Sequence, residues 1–186
     1  MDMMTAEEYG LISTSKSDSK LVVDVTELVQ LYSGLLFRVA HSVLRSRTDA
    51  EDVVQDVFVR VLERRTMLGE VQQMRVWLVR IAWNLALDRR RRIKPEQMED
   101  EFAAQLATSN VGPEQALAET RRMEAVFREI ERLPRAERHA LLLATVEELG
   151  TAEMAVVLRK TESGVRALVF RARKRLRERL GQGGEP

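Results

Sequence analysis

The chain is 186 residues long, 45% hydrophobic and 32% charged, and its 30 Lys and Arg nearly balance 29 Asp and Glu, for a formal net charge of +1. That length and apolar fraction predict one large or two small globular domains with buried cores. The absence of cysteine excludes disulfides, thiol catalysis, cysteine-ligated zinc and a thiol redox sensor within the chain, and the two histidines, His41 and His139, lie too far apart in sequence to suggest a metal site. No signal peptide and no run of 18 apolar residues is present, which predicts a cytoplasmic protein without membrane insertion.

Residues 1–20 are polar, serine-rich and aperiodic, as in STSKSDSK from Ser13 to Lys20, and predict a disordered tail. From Val25 the pattern turns helical. Leu28, Leu31, Tyr32, Leu35, Leu36, Val39, Ala40, Val43 and Leu44 form a wide apolar stripe, the mark of a core helix.

The next helix is announced by Thr48, Asp49, Ala50 and Glu51, a capping box ahead of an apolar run. Its core stripe is Ala50, Val53, Val54, Val57, Phe58, Val61 and Leu62. An offset face carries Asp52, Gln55, Asp56 and Val59. Asp49, Glu51 and Asp52 suit the positive end of the helix dipole, but Asp56 lies two turns in, with the apolar Val59 in line with it. An acidic stripe containing an apolar contact suits docking to a basic partner surface.

A third helix spans about Met74 to Arg92, with Trp77, Leu78, Ile81, Ala82 and Leu85 read as inward. Its other side holds Arg80, Trp83, Asn84, Leu87, Asp88 and Arg91, and it ends in Arg89, Arg90, Arg91 and Arg92. Capping alone does not need four consecutive arginines. With an outward Trp83 and the amide of Asn84, they offer phosphate contacts, a stacking ring and a base-edge hydrogen bonder, a set suited to partly single-stranded DNA.

Between Pro95 and Pro113 the sequence becomes acidic and aperiodic, and predicts a flexible linker. Helical spacing resumes at Glu114, with Leu117, Met123, Val126, Phe127 and Ile130 on one stripe. After Leu133 and Pro134 a further helix buries Ala140, Leu141, Leu143, Ala144 and Val146.

The last segment, GTAEMAVVLRKTESGVRALVFRARKRLRERL from Gly150 to Leu180, reads as two helices meeting at a short turn. Ala152, Ala155, Val156 and Leu158 give the first helix its apolar face, and Thr161 caps the second, whose stripe is Val165, Leu168, Val169, Ala172 and Leu176. Residues 159–180 hold nine Lys or Arg and two Glu, a formal +7 in a chain of +1. A basic helix by itself is often only a solvated face, but a preceding short helix and tight turn make this the outline of a helix-turn-helix reader of DNA. The fold class expected is therefore all-α: two small helical domains joined by a flexible acidic linker.

With both domains in view, the sequence resembles the bacterial sigma-70 family, and specifically its small extracytoplasmic-function group, which retains only regions 2 and 4. DAEDVVQDVFVRV at Asp49 to Val61 is similar to the part of region 2 that docks on the clamp coiled coil of the RNA polymerase β′ subunit. The resemblance makes Asp49, Glu51, Asp52, Gln55 and Asp56 candidate polymerase contacts, and Val59 joins them from the face read above. VWLVRIAWNLALDRRRR at Val76 to Arg92 resembles the part that opens the promoter and reads its minus-ten element. The candidates there are Arg80, Asn84, Asp88, Arg89, Arg90, Arg91 and Arg92, with Trp77 filling the core; stacking by Trp83 rests on the residue reading alone.

The stretch from Leu133 to Leu180 resembles region 4, which reads the minus-thirty-five element and touches the β flap. Candidates near bases are Lys160, Ser163, Arg166 and Phe170, with Arg171, Arg173 and Lys174 nearer phosphates. The chain departs from the common pattern: Arg159 stands where many relatives have a turn glycine, Ser163 and Gly164 replace a Gly-Thr pair, and Ala167 and Leu168 occupy positions that are often polar.

The domains implied are a tail at 1–20, region 2 at 21–94, a linker at 95–113, region 4 at 114–181 and a tail at 182–186. The partners implied are core RNA polymerase and promoter DNA, with room for an anti-sigma factor, and neither catalysis, metal nor cofactor is expected. Glu96, Glu99, Asp100 and Glu101 suit a nucleic-acid mimic in the polymerase's basic channel. A stand-alone repressor or activator is the main rival and predicts operator binding without polymerase; a helical adaptor would leave the arginine run unexplained, and an enzyme would lack a convergent nucleophile or phosphate cradle.

Overall fold

Asp24 starts the first helix by accepting a hydrogen bond on Oδ1 from the Thr26 N–H at 2.8 Å, which satisfies one of the free donors at a helix N-terminus. The structure, a computed structural model, describes residues 24–92, 113–146 and 149–181, with backbone alone over 113–120. The expected tails at 1–20 and 182–186, the acidic cluster from Glu96 to Glu101 and the side chain of Leu117 lie outside the described residues. The chain divides into two units, Met1–Arg92 and Ile93–Pro186. It is all-α, two helical units in succession, with no strand among the described residues.

In the first unit, α1 (Val25–Leu44) packs on both α2 (Arg47–Glu63) and α3 (Met74–Arg92), which also touch each other. Leu28, Leu35, Leu36, Val39, Ala40, Val43 and Leu44 of α1 are buried, each Leu or Val stabilising the fold by about 1.5–3 kcal/mol. Leu31, expected in that stripe, is 62% exposed. Arg45 ends α1 in the left-handed region, φ 58°, with its N–H donating to the His41 carbonyl at 2.9 Å.

The cap of α2 is Ser46, not Thr48: the buried Ser46 Oγ accepts from the Asp49 N–H at 3.1 Å. The left-handed Arg45 turns the chain at once, so the helix begins earlier than the expected capping box. Ala50, Val53, Val57, Phe58 and Val61 form its core face. A 3-10 turn (Arg65–Glu70), with Leu68 buried, leads to α3.

In the second unit, α4 (Pro113–Glu131), α5 (Arg135–Ala144) and α6 (Thr151–Leu158) all pack against α7 (Glu162–Gly181), and α5 touches α6. Ile130, Leu133, Ala140, Leu141, Leu142, Leu143, Val146, Leu149, Met154, Ala155, Val157, Val165, Leu168 and Ala172 make the core. Met123, expected on the core stripe of α4, is 41% exposed, and Ala152 of α6 is exposed where Met154 is buried.

The α6–α7 turn is Arg159, Lys160 and Thr161. Arg159 has φ 54° and ψ 50°, and the Lys160 N–H donates back to the Ala155 carbonyl at 2.9 Å, the helix ending that a left-handed residue permits. Thr161 then caps α7, its Oγ1 accepting from the Gly164 N–H at 3.1 Å. The two helices and short turn expected from the sequence are present, with a strained arginine standing where glycine would be unstrained.

Candidate nucleic-acid and polymerase interfaces

The outer face of α2 carries an apolar pair set among polar groups. Gln55 and Asp56 are exposed, and Val59 and Leu62 are 52% and 53% exposed. These positions recur at helical spacing and share one side of the helix. Leu62 was expected in the core with Val54, which is half-buried. The α2 seam closes on Val57, Phe58 and Val61, and Leu62, seven residues after Gln55, falls on the outer stripe. That seven-residue spacing was the signal in the sequence that identifies it.

Three other acids of α2, Asp49, Glu51 and Asp52, are engaged within the protein. Arg47 Nε lies 2.8 Å from Glu51 Oε1. Arg89 reaches across from α3, with Nε 2.5 Å from Asp49 Oδ1 and Nη2 2.6 Å from Asp52 Oδ2. Burial by itself lowers the pKa of Arg89, but its hydrogen bonds to Asp49 and Asp52 hold it above the ordinary arginine value, so the guanidinium stays charged. Asp56 makes no ion pair among the described residues and is the exposed acid of the stripe.

The end of α3 differs from expectation in phase. Arg80 and Trp83, expected outward, are 5% and 2% exposed, whereas Ile81 and Leu85, expected inward, are half-buried. The physical reason is that α3 packs on both α1 and α2, so Val76, Trp77, Leu78, Val79, Ala82 and Ala86 are buried around most of its circumference. A helix that is apolar all round has no hydrophobic stripe from which to read an outward side. Trp83 is thus a core ring and does not offer a stacking face, and Arg80 does not lie at the surface.

The arginine run is also divided. Arg89 bridges Asp49 and Asp52, and Arg90 Nη1 donates to the Val43 carbonyl at 2.8 Å, in the last turn of α1. Arg91 pairs with Asp88 one turn before it and, like Arg92, is exposed. Asn84 is half-buried and Asp88 exposed. The solvent-facing part of this candidate surface is therefore Asn84, Asp88, Arg91 and Arg92.

Lys160 in the α6–α7 turn and Ser163, Arg166, Arg173 and Lys174 on α7 are exposed as expected, and Phe170 is 63% exposed, unusual for a large aromatic ring. Arg166 lies 3.4 Å from Glu162 and Lys174 3.8 Å from Glu178, pairs within α7 that leave both cations at the surface. Arg171 belongs to a different stripe. With Arg175 and Arg179 it recurs every four residues along α7 and pairs with acids of α5 and α4: Arg171 with Glu137 at 3.4 Å, Arg175 with Glu137 at 3.0 Å and Arg179 with Glu129 at 3.4 Å. The cations of α7 thus divide into an inner stripe, Arg171, Arg175 and Arg179, paired with Glu137 and Glu129, and an outer stripe with Arg166, Arg173, Lys174 and Arg177. Among the described residues, no three His, Cys, Asp or Glu converge as a metal site, and no helix is long and apolar enough to cross a membrane.

Residues 28–95 match the family model for Sigma-70 region 2, and residues 123–176 match that for Sigma-70, region 4. Over 189 aligned residues the chain is 25% identical to the ECF RNA polymerase sigma factor SigW of Bacillus subtilis, covering 97% of this chain and 98% of that protein. It is 30% identical over 158 residues to the ECF RNA polymerase sigma factor SigM of Mycobacterium tuberculosis, covering 83% of this chain and 76% of that protein. The fold is similar to that of the sigma factor RpoE from Bartonella quintana, solved in complex with the anti-sigma factor NepR: the TM-score is 0.56 at 18% identity, over 85% of this chain and 97% of that one.

Proposed function

The chain belongs to the extracytoplasmic-function group of sigma-70 factors, which confer promoter-specific transcription initiation on RNA polymerase, and from that premise we propose how its residues divide the work. The observation that carries the reading is the exposed Val59–Leu62 pair beside Gln55 and Asp56 on α2. An apolar centre with a polar, acidic margin suits a basic helical surface such as the β′ clamp, where desolvated apolar contacts supply affinity and the acid supplies orientation.

Region 2, taken as 21–94, then places Asn84, Asp88, Arg91 and Arg92 toward the minus-ten strand, where arginines meet phosphates and Asn84 meets a base edge. Region 4, taken as 114–181, lays α7 in the major groove of the minus-thirty-five element. Lys160, Ser163, Arg166 and Phe170 approach the bases there, with Arg173 and Lys174 at phosphates. Phe170 has the chemistry to pack on a thymine methyl group. The stretch 95–113 serves as the linker. The protein works in the cytoplasm and contributes specificity rather than a chemical step, and an anti-sigma factor is a further class of partner, as for the Bartonella quintana sigma factor solved with NepR.

Fluorescence anisotropy of the labelled full chain against purified bacterial core polymerase tests this. Val59→Glu and Leu62→Ala should each weaken binding about tenfold or more, the loss expected of a central interface residue. Both positions are exposed, so stability should change by no more than about 0.5 kcal/mol. Unchanged affinity in both variants would remove the α2 face from the account.

A further inference from the structure

Asp49 and Asp52 sit three residues apart on α2, so their carboxylates lie on one side of the helix and repel each other. Arg89 removes that repulsion with one guanidinium, its Nε serving Asp49 at 2.5 Å and its Nη2 serving Asp52 at 2.6 Å. A lysine, with a single point charge, has no fixed fork with which to hold two acids at once. The arginine side chain is 33% exposed and the two acids 22% and 44%, so the cluster lies at the border between core and surface, where water screens it only in part.

We propose that Arg89 is a positioning residue for polymerase docking and not a DNA contact. The proposal rests on the reading of α2 as the docking helix. Arg89 fixes the Asp52 carboxylate by one oxygen, so that its second oxygen meets the polymerase in a set direction beside Gln55 and Asp56. Arg90, bonded to the Val43 carbonyl at 2.8 Å, holds the same end of α3 to α1. The two arginines thereby fasten the end of the helix that leads into Arg91 and Arg92 to both of its neighbours. A docking acid that is already ordered avoids losing side-chain freedom on association, which raises affinity without adding a contact.

The sign of the effect separates this from simple electrostatics. Arg89→Gln makes the α2 face more negative, so long-range attraction to a basic polymerase surface would rise. Positioning requires the opposite: affinity falls, because Asp52 becomes mobile and is pushed by Asp49.

The experiment is a mutant cycle on the full chain, with core polymerase affinity read by anisotropy. Arg89→Gln should weaken binding about five- to tenfold, whereas the same change in an Asp49→Asn, Asp52→Asn background should cost less than about twofold. Arg89→Lys, which keeps the charge and most of the stem, should fall between wild type and Arg89→Gln. Emission from Trp77 and Trp83 shows whether each variant is folded at the assay temperature. Equal or tighter binding by Arg89→Gln, or the same loss in both backgrounds, would overturn the proposal. So would retained polymerase affinity combined with a drop of about 1 in the salt slope of holoenzyme binding to promoter DNA, since that marks a lost phosphate contact. A wild type that does not bind core polymerase would overturn the docking reading itself.

Discussion

Arg175 on α7 lies with its Nε 3.0 Å from Oε2 of Glu137, a carboxylate of α5 that is 5% exposed. Glu137 also takes Arg171, one turn earlier on α7, at 3.4 Å. One buried acid therefore ties two successive turns of α7 to α5, and a shift of α7 along its axis would break both ion pairs together.

Glu137→Gln should destabilise the C-terminal unit by about 1–2 kcal/mol, less than for a fully buried pair because both arginines are about half-exposed. Both tryptophans, Trp77 and Trp83, are in α3 of the other unit. Urea unfolding should then show a shifted transition by circular dichroism and an unshifted one by tryptophan emission; shifts of equal size in both signals would contradict this.

The start of α7 and most of the outward faces of α2 and α7 were legible in the sequence because each helix has one buried stripe; the start of α2 and the outward Leu62 were not. Val53, Val57 and Val61, like Val165, Leu168 and Ala172, recur at a spacing that fixes which side is outward. The acidic stripe of α2 and the cap at Thr161 followed from local chemistry. What was not legible depended on contacts between residues distant in sequence. The phase of α3 was lost because two neighbours bury it on both sides. The engagement of Arg89 by Asp49 and Asp52 spans 40 and 37 residues, and the neutralisation of Arg171 spans 34. A run of arginines looks the same in sequence whether it faces phosphates or carboxylates.

Trp83 should behave as a core ring. Trp83→Ala is expected to cost about 3–5 kcal/mol, as for other buried aromatic truncations, whereas Trp83→Phe should cost much less and leave promoter opening intact. Permanganate footprinting of unpaired thymines in holoenzyme complexes would read the opening. Loss of opening in a folded Trp83→Phe protein would mean that the indole reaches DNA.

The left-handed Arg159 should tolerate glycine and reject β-branching. Glycine relieves strain of about 1–2 kcal/mol but adds about 0.5–1 kcal/mol of unfolded-chain freedom, so Arg159→Gly should raise stability by at most about 1.5 kcal/mol. Arg159→Val should lower it, because a β-branched residue is a genuine outlier at positive φ. Thermal unfolding by circular dichroism checks the order, and a Val variant as stable as the Gly variant would contradict it.

The two basic stripes of α7 should separate by salt dependence. Lys174→Ala should lower the slope of log affinity against log salt by about 1 for holoenzyme on duplex carrying the upstream element. Arg171→Ala should leave that slope nearly unchanged while reducing stability. The reverse pattern would place Arg171 on a phosphate.

Transcription from a promoter library by purified bacterial core polymerase, with and without the protein, reads out whether this chain gives the polymerase a promoter preference. New start sites should appear only with the protein, share two motifs a promoter spacer apart, and disappear with Val59→Glu. If the protein neither binds core polymerase nor creates starts, yet shifts duplex DNA alone, the account is contradicted and a stand-alone DNA-binding regulator takes its place.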